Sequence, residues 1–165
     1  MKMCATDNCA SNATGKSKYC DLHKKEARAR FKMMLSEQSS EKLKRETAFY
    51  EALHDAHDAG AKAGQEARPN PMIVKGYEDQ PVMDGVCGFA YITVKPGNCR
   101  LANYMKKNGF GNYWSYDKAV VVSISYFNQS MERKERYAEA YSKLLAERVA
   151  TIDPRARVSH YSRMD

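Results

Sequence analysis

The chain has 165 residues, 43% of them hydrophobic and 28% charged, with a formal net charge of +7. That is one domain's worth at ~100–200 residues per domain, and too apolar for a wholly disordered protein. No run approaches the ~18 consecutive apolar residues of a membrane span, and residues 1–9 lack the apolar centre of a secretory leader, so a cytoplasmic setting, or packing into a larger particle, is expected.

The charge is unevenly placed: +5 over residues 1–32, −3 over 37–66, zero over 67–97 and +5 over 98–165. Two basic ends attract polyanions at long range, and the acidic middle restricts where they settle.

The chain opens on Cys4, Cys9, Cys20 and His23, in Cys-x4-Cys-x10-Cys-x2-His order. Three thiolates and an imidazole are a standard structural zinc set, and four protein ligands leave no open position for a catalytic water. The alternative is two disulfides or buried free thiols; a cytosolic setting disfavours disulfides, and a segment this small and polar needs more than its own apolar contacts to fold, which a zinc ion supplies. The intervening residues 10–19, with Asn12, Gly15, Lys16 and Ser17, suit a turn. Cys20 and His23 stand one helical turn apart, Asp21 is a candidate cap, and residues 24–34 continue the helix. A knuckle, a hairpin-like loop and two ligands at a helix start resemble a treble-clef zinc finger over residues 4–34. One structural Zn2+ per chain is expected.

Ala27, Phe31, Met34 and Leu35 recur at helical spacing, and Ser36 to Ser40 predicts a break, with Ser40 capping a second helix over 41–67. Leu43, Phe49, Tyr50, Leu53, Ala56 and Ala63 give that helix an apolar stripe. Gly60 and Gly64 lie on one face, where another helix or a second chain can approach closely, so homo-oligomerisation through residues 41–67 is a further expectation. His54, Asp55, His57 and Asp58 read as a solvated face. Arg68-Pro69-Asn70-Pro71 ends the helix, and residues 68–85 form a linker in which Met72-Ile73-Val74 pairs briefly.

The remainder alternates. A strand is predicted over 86–95, with Cys87 in the core, then a helix capped by Asn98 that buries Leu101, Tyr104 and Met105 and stops at Gly109. Cys99 falls in its first turn, where an inert thiol is the plainer reading. An aromatic loop follows over 110–117, then a strand over 119–127. A helix capped by Asn128 or Ser130 runs to about Val149, with Tyr137, Tyr141, Leu144 and Leu145 on one face and Glu132–Arg136 and Glu139–Lys143 as supporting pairs. Asp153-Pro154 breaks it before a last strand over 157–163. The expected fold is α+β: a zinc module (1–34), a helical segment (35–67), a linker (68–85) and a small β-α-β-α-β layered domain (86–165).

No phosphate-cradling glycine loop or nucleophile elbow is present. Asp84 before a strand ending Thr93-Val94-Lys95 faintly echoes a metal-dependent nuclease, but Thr93 stands where a second carboxylate is required, so no catalytic residues are assigned. The more informative constellation is basic and aromatic: Arg100, Lys106, Lys107, Tyr113, Trp114, Tyr116 and Lys118, with Arg157, Ser159, Tyr161 and Arg163 alternating onto one face of the last strand. Aromatics that stack bases beside cations that hold phosphates are what single-strand binding uses. The same rings can also serve as a hydrophobic lid on the sheet, and both readings stand.

Residues 88–98 (GFAYITVKPGN), 127–134 (FNQSMERK) and 162–165 (SRMD) resemble a group of small uncharacterised bacteriophage proteins. The resemblance implies a phage source, hence host cytoplasm or virion, and carries no activity and no residue role. The expectation is a zinc-stabilised, non-catalytic protein that binds nucleic acid, DNA or RNA, through Lys16, Lys18, Lys24, Lys25, Arg28, Arg30, Lys32, Trp114, Arg157, Tyr161 and Arg163. The alternative is an adaptor that docks a host or virion protein on the long helix.

Overall fold

The computed structural model describes residues 3–6, 9–14, 18–76 and 78–165. The chain forms two compact units, Met1–Lys44 and Arg45–Asp165. Its elements in order are α1 (Asp21–Glu66), β1 (Gly88–Lys95), α2 (Arg100–Lys107), β2 (Asn112–Trp114), β3 (Ala119–Ser123), α3 (Met131–Val149) and β4 (Arg157–Met164). The α+β class is as expected.

Helix α1 corrects the predicted break at residues 36–40, because it runs unbroken through the serines. Ser36 Oγ donates to the Met33 carbonyl 2.7 Å away, so the hydroxyl is satisfied inside the helix rather than capping a new one. In the first unit the stripe Phe31, Met34 and Leu35 faces solvent, with Phe31 58% exposed.

In the second unit the buried face of α1 is Phe49, Ala52, Leu53, Ala56, Gly60 and Gly64. Leu43 and Tyr50 fall outside it and are exposed. The two glycines allow a close approach inside this chain. A Cβ on Gly60 would lie 3.0 Å from the Tyr137 ring and from the Tyr137 carbonyl, and one on Gly64 would meet the Phe127 ring. This face is thus taken up by α3 and the loop before it.

Within residues 68–87 Met72 pairs with Val82, each amide donating to the other's carbonyl at 2.9 Å, and Cys87 bridges to Ser130. The sheet then has the order β2-β3-β1-β4, with β3 and β4 both antiparallel to β1 and β2 antiparallel to β3. With its helices the unit runs β-α-β-β-α-β, the connectivity of the split β-α-β fold. The predicted β-α-β-α-β order lacked β2. This strand lies inside the expected aromatic loop and pairs Asn112, Tyr113 and Trp114 with Val121, Val120 and Ala119. Its three residues, following Gly111, carry too little alternation to announce a strand.

Helix α2 is capped by Cys99 rather than Asn98, its sulfur accepting from the Ala102 amide at 3.4 Å. It ends as predicted, with Gly109 at φ +75° after Asn108. Strand β3 stops at Ser123, short of the predicted 127, because Phe127 and Asn128 adopt left-handed backbone (φ 67° and 49°) that turns the chain into α3. Ser130 occupies the N-cap position without a side-chain cap bond. Of the expected helix pairs, Arg136 instead meets Glu139 at 3.0 Å, and Glu132 accepts from the Asn70 amide at 3.1 Å.

The core lies on one side of the sheet. Ala90, Ile92 and Val94 of β1 and Val120 of β3 pack against Leu101, Ala102 and Met105 of α2, Ala138, Tyr141 and Leu145 of α3, and Phe49 and Leu53 of α1. Cys99 is buried there, and burial and the nearby Asp153 push its thiol up, which suits an inert cap. Cys87, expected in the core, is exposed, because alternation along the chain puts it on the side of Phe89 and Tyr91, away from the main core.

Two predictions follow from this packing. Gly60→Leu should lower stability by about 1–3 kcal/mol in urea denaturation, since the added side chain meets ring and backbone together. Burial raises the Tyr137 and Tyr141 phenols, Tyr141 to about 12. A folded value above the unfolded ~10 means that stability is intact below pH ~10 and is lost as pH climbs toward 12. Absorbance titration should find these two tyrosines ionising only as the protein unfolds.

Candidate functional site

The described residues of the first unit form no apolar core. Among its described residues only Cys4 and Cys20 are buried. Backbone bonds bring the segments together: the Cys4 amide donates to Ser11, Ala5 to Lys18 and Thr14 to Tyr19, at 3.0, 2.8 and 3.2 Å. Helix α1 starts directly after Cys20, which places Cys20 and His23 on its first turn as the spacing predicts. Thr14 and Lys24 tie the loop to that turn, the Thr14 hydroxyl donating to Asp21 at 2.7 Å and the Lys24 ammonium to the Thr14 carbonyl at 2.9 Å.

The ligand atoms of Cys4, Cys9, Cys20 and His23 all lie within 4.8 Å of one another and could hold a metal ion. His23 presents Nδ1, 3.3 Å from the sulfurs of both Cys4 and Cys20, and the sulfurs of Cys9 and Cys20 are 4.0 Å apart. Tetrahedral zinc has edges of about 3.8 Å between sulfurs and about 3.6 Å between sulfur and nitrogen, so the donor set has the right size.

The sulfurs are also electrostatically prepared. The Thr6 hydroxyl, the Cys20 and Thr6 amides and His23 hold the Cys4 thiol down at about 5, against a smaller opposing effect of burial. At Cys20 the His23 amide pulls down, but burial and the Cys4 and Cys9 sulfurs together push the thiol up. Neighbouring sulfurs that resist sharing negative charge are relieved by a cation between them.

The predicted cations near this centre behave differently from one another. Lys16 lies outside the described residues. Lys18, Lys25, Arg28, Arg30 and Lys32 are exposed. Lys25, Arg28 and Lys32 fall at i, i+3 and i+7, on one helix face. Lys24 is half-buried and committed to Thr14 and Asp21, so it braces the module.

In the second unit one group of aromatic residues lies on the sheet face that no helix covers. The Thr93 and Ser159 hydroxyls meet at 2.7 Å, which fixes this face along β1 and β4. By alternation Phe89 and Tyr91 of β1 and Arg157, Tyr161 and Arg163 of β4 share it, and the β2–β3 register adds Trp114.

At its centre the Tyr91 ring stacks on Tyr161 at 5.0 Å and 24°, meets Trp114 at 5.6 Å and continues to Phe89 at 6.5 Å. Arg163 lies over both β1 rings, 5.4 Å from Phe89 and 5.8 Å from Tyr91. Tyr91 is only 7% exposed, whereas Trp114 and Tyr161 are 39% and 38% exposed. Lys95 reaches Asp117 at 3.9 Å. Burial, with the Asp117 and Tyr91 charges, raises the Tyr161 phenol, so it stays neutral.

The structure thus gathers Trp114, Tyr161 and Arg163 around Tyr91, with Arg157 further along the same strand. It divides the rest of the basic–aromatic group. Tyr113 points to the other side of β2, where the Lys106 ammonium sits 5.4 Å from its ring centre, and Lys107 pairs with Glu46 at 3.9 Å. Tyr116, at the β2–β3 turn, is 96% exposed. Phe89 and Tyr91 were missed in the sequence, although their alternation with Ala90 and Ile92 was a usable signal. His54 and Asp58 form the expected exposed pair at 3.3 Å. His57 departs from the solvated reading, with Nδ1 2.6 Å from the Tyr137 hydroxyl.

No family model, curated protein or solved structure matches this chain.

Elemental analysis of purified protein should find one equivalent of bound metal per chain, and Cys20→Ser should lose it. A strong chelator should open residues 3–20 to proteolysis while the sheet unit, which has its own apolar core, keeps its melting transition.

Proposed function

We propose that this is a zinc-stabilised, non-catalytic protein that binds single-stranded nucleic acid on the open face of its sheet. The observation that carries the reading is the run of rings Trp114, Tyr91 and Tyr161 with Arg163 laid across it. Bases have flat π faces and stack on exposed rings, and guanidinium groups hold the phosphates between them. Duplex DNA hides its base faces, so such a surface discriminates by strandedness before it discriminates by sequence. Neither sugar is favoured by these contacts, and both DNA and RNA are candidate ligands.

Zinc is the metal we assign to the Cys3His centre, because it takes this donor set in structural sites. The metal fixes the first turn of α1, and with it Lys25, Arg28 and Lys32, as a second cationic surface for the phosphate backbone. The short stretches named above support a phage source, with host cytoplasm or the virion as the place of action. No helix among the described residues is long and apolar enough to cross a membrane.

One observation favours a second reading, an adaptor for a host or virion protein. The solvent-facing Phe31, Met34 and Leu35 of α1 offer an apolar stripe to a partner.

Salt separates the two readings, because phosphate contacts weaken steeply as salt rises and an apolar interface does not. With short oligonucleotides, Trp114→Ala and Tyr161→Ala should each cost about 1–3 kcal/mol of single-strand affinity and leave duplex binding nearly unchanged. Lys25→Glu with Arg28→Glu should weaken both kinds of ligand and flatten the salt dependence. If single strands do not bind at low salt, the adaptor reading replaces this one.

A further inference from the structure

A cavity of about 360 Å3 lies on the helix side of the sheet, away from the Trp114 surface, between the second half of α1, the end of β3 and α3. Four features give it a chemical character.

Its walls are aromatic. The His57 ring meets the rings of Tyr126 and Tyr137 at 5.5 and 5.8 Å, and Phe110 closes another side. It also contains a phenol hydroxyl that opens into it. Tyr137 bonds to His57 Nδ1, but Tyr141, stacked on Tyr137 at 5.8 Å and only 5% exposed, lines the cavity with a hydroxyl that has no hydrogen-bond partner among the described residues.

A sheet edge also opens into it. Pairing between β2 and β3 ends at Asn112 and Val121, so the next residues of that edge, 122–125, border the cavity instead of a strand. Finally, its lining includes no lysine or arginine, which disfavours a phosphate or a carboxylate.

We propose that this cavity binds a small, uncharged, planar heteroaromatic molecule that both donates and accepts hydrogen bonds, of the purine-base class. Its faces lie against the rings of Tyr126 and Phe110. Its polar edge meets the Tyr141 hydroxyl, the Nε2 that His57 keeps free while Nδ1 serves Tyr137, and the β3 edge at Ser125. A pocket that offers hydrogen-bonding groups among apolar rings favours ligands that complete them. The site shares no residue with the sheet face and does not rest on the nucleic-acid reading.

The test is a titration of the metal-loaded full chain with adenine, followed by the side-chain NMR signals of His57, Tyr126 and Tyr141. Saturable shifts at these residues, with the Trp114 indole unmoved, are expected. Tyr141→Phe keeps the ring and removes the hydroxyl, and should weaken adenine at least tenfold with an unchanged melting temperature. Tyr126→Ala, at an exposed position, should weaken it too, and serves as the reporter if Tyr141→Phe does not fold. Trp114→Ala should bind adenine normally, which separates this site from the sheet face. Adenosine monophosphate should bind no tighter than adenine. The proposal is overturned if adenine gives no saturable shift up to its solubility limit, if neither variant weakens it, or if the added phosphate tightens binding.

Discussion

Strand β1 is hydrogen-bonded along both edges, to β3 on one side and β4 on the other, and the rest of the second unit is organised by that position. A strand so placed has no lateral freedom, and its period of two decides what each face receives. Ala90, Ile92 and Val94 take the helices, and all three are fully buried. Phe89, Tyr91 and Thr93 are committed to the opposite face, where no helix waits. An antiparallel sheet tolerates one open face, but rings placed there must find cover. Trp114 and Tyr161 supply it for Tyr91 by lying across the sheet from the two flanking sides. The candidate binding surface is therefore also the structural solution for the uncovered side of β1. The lid reading and the stacking reading of these rings describe one arrangement, in which the outermost rings remain accessible.

The two units are held by different physics. The second has a continuous apolar core drawn from the sheet and all three helices. Among the described residues of the first there is no such core, and those that are buried are two of the cysteines that could bind a metal. Its described segments are tied by backbone bonds and braced by Lys24. The same residue type serves three ends in this chain. Cys4, Cys9 and Cys20 face a common centre, Cys99 caps a helix from inside the core, and Cys87 lies at the surface.

What was legible in the sequence follows from how local the determining interaction is. The four metal-ligand residues were readable because two of them sit on one helical turn and the others at knuckle spacing. Helix α3 and strand β4 were readable from periodicity over eight or more residues. The break at 36–40 was misread because serine at a helix surface can satisfy itself on its own helix, which composition does not reveal. Strand β2 was hidden because its three residues owe their conformation to β3 rather than to their own pattern. Tyr91 was passed over because β1 reads as apolar on both faces, and only the strand order shows that one of those faces has no helix. The aromatic cavity draws on residues from α1, α3, the loop before β2 and the end of β3 with the loop after it, contacts that no window of sequence contains.

The placement of Trp114 has a practical consequence. It is the chain's single tryptophan, and it rests against Tyr91 on the open face of the sheet while retaining contact with solvent. Indole emission is sensitive to what touches the ring, and no second indole elsewhere in the chain dilutes the signal. The molecule thus carries a built-in optical gauge on the candidate binding surface. Selective excitation of that one chromophore reports on occupancy of the sheet face without any label, and quenching by a small solute measures how far an occupant shields it.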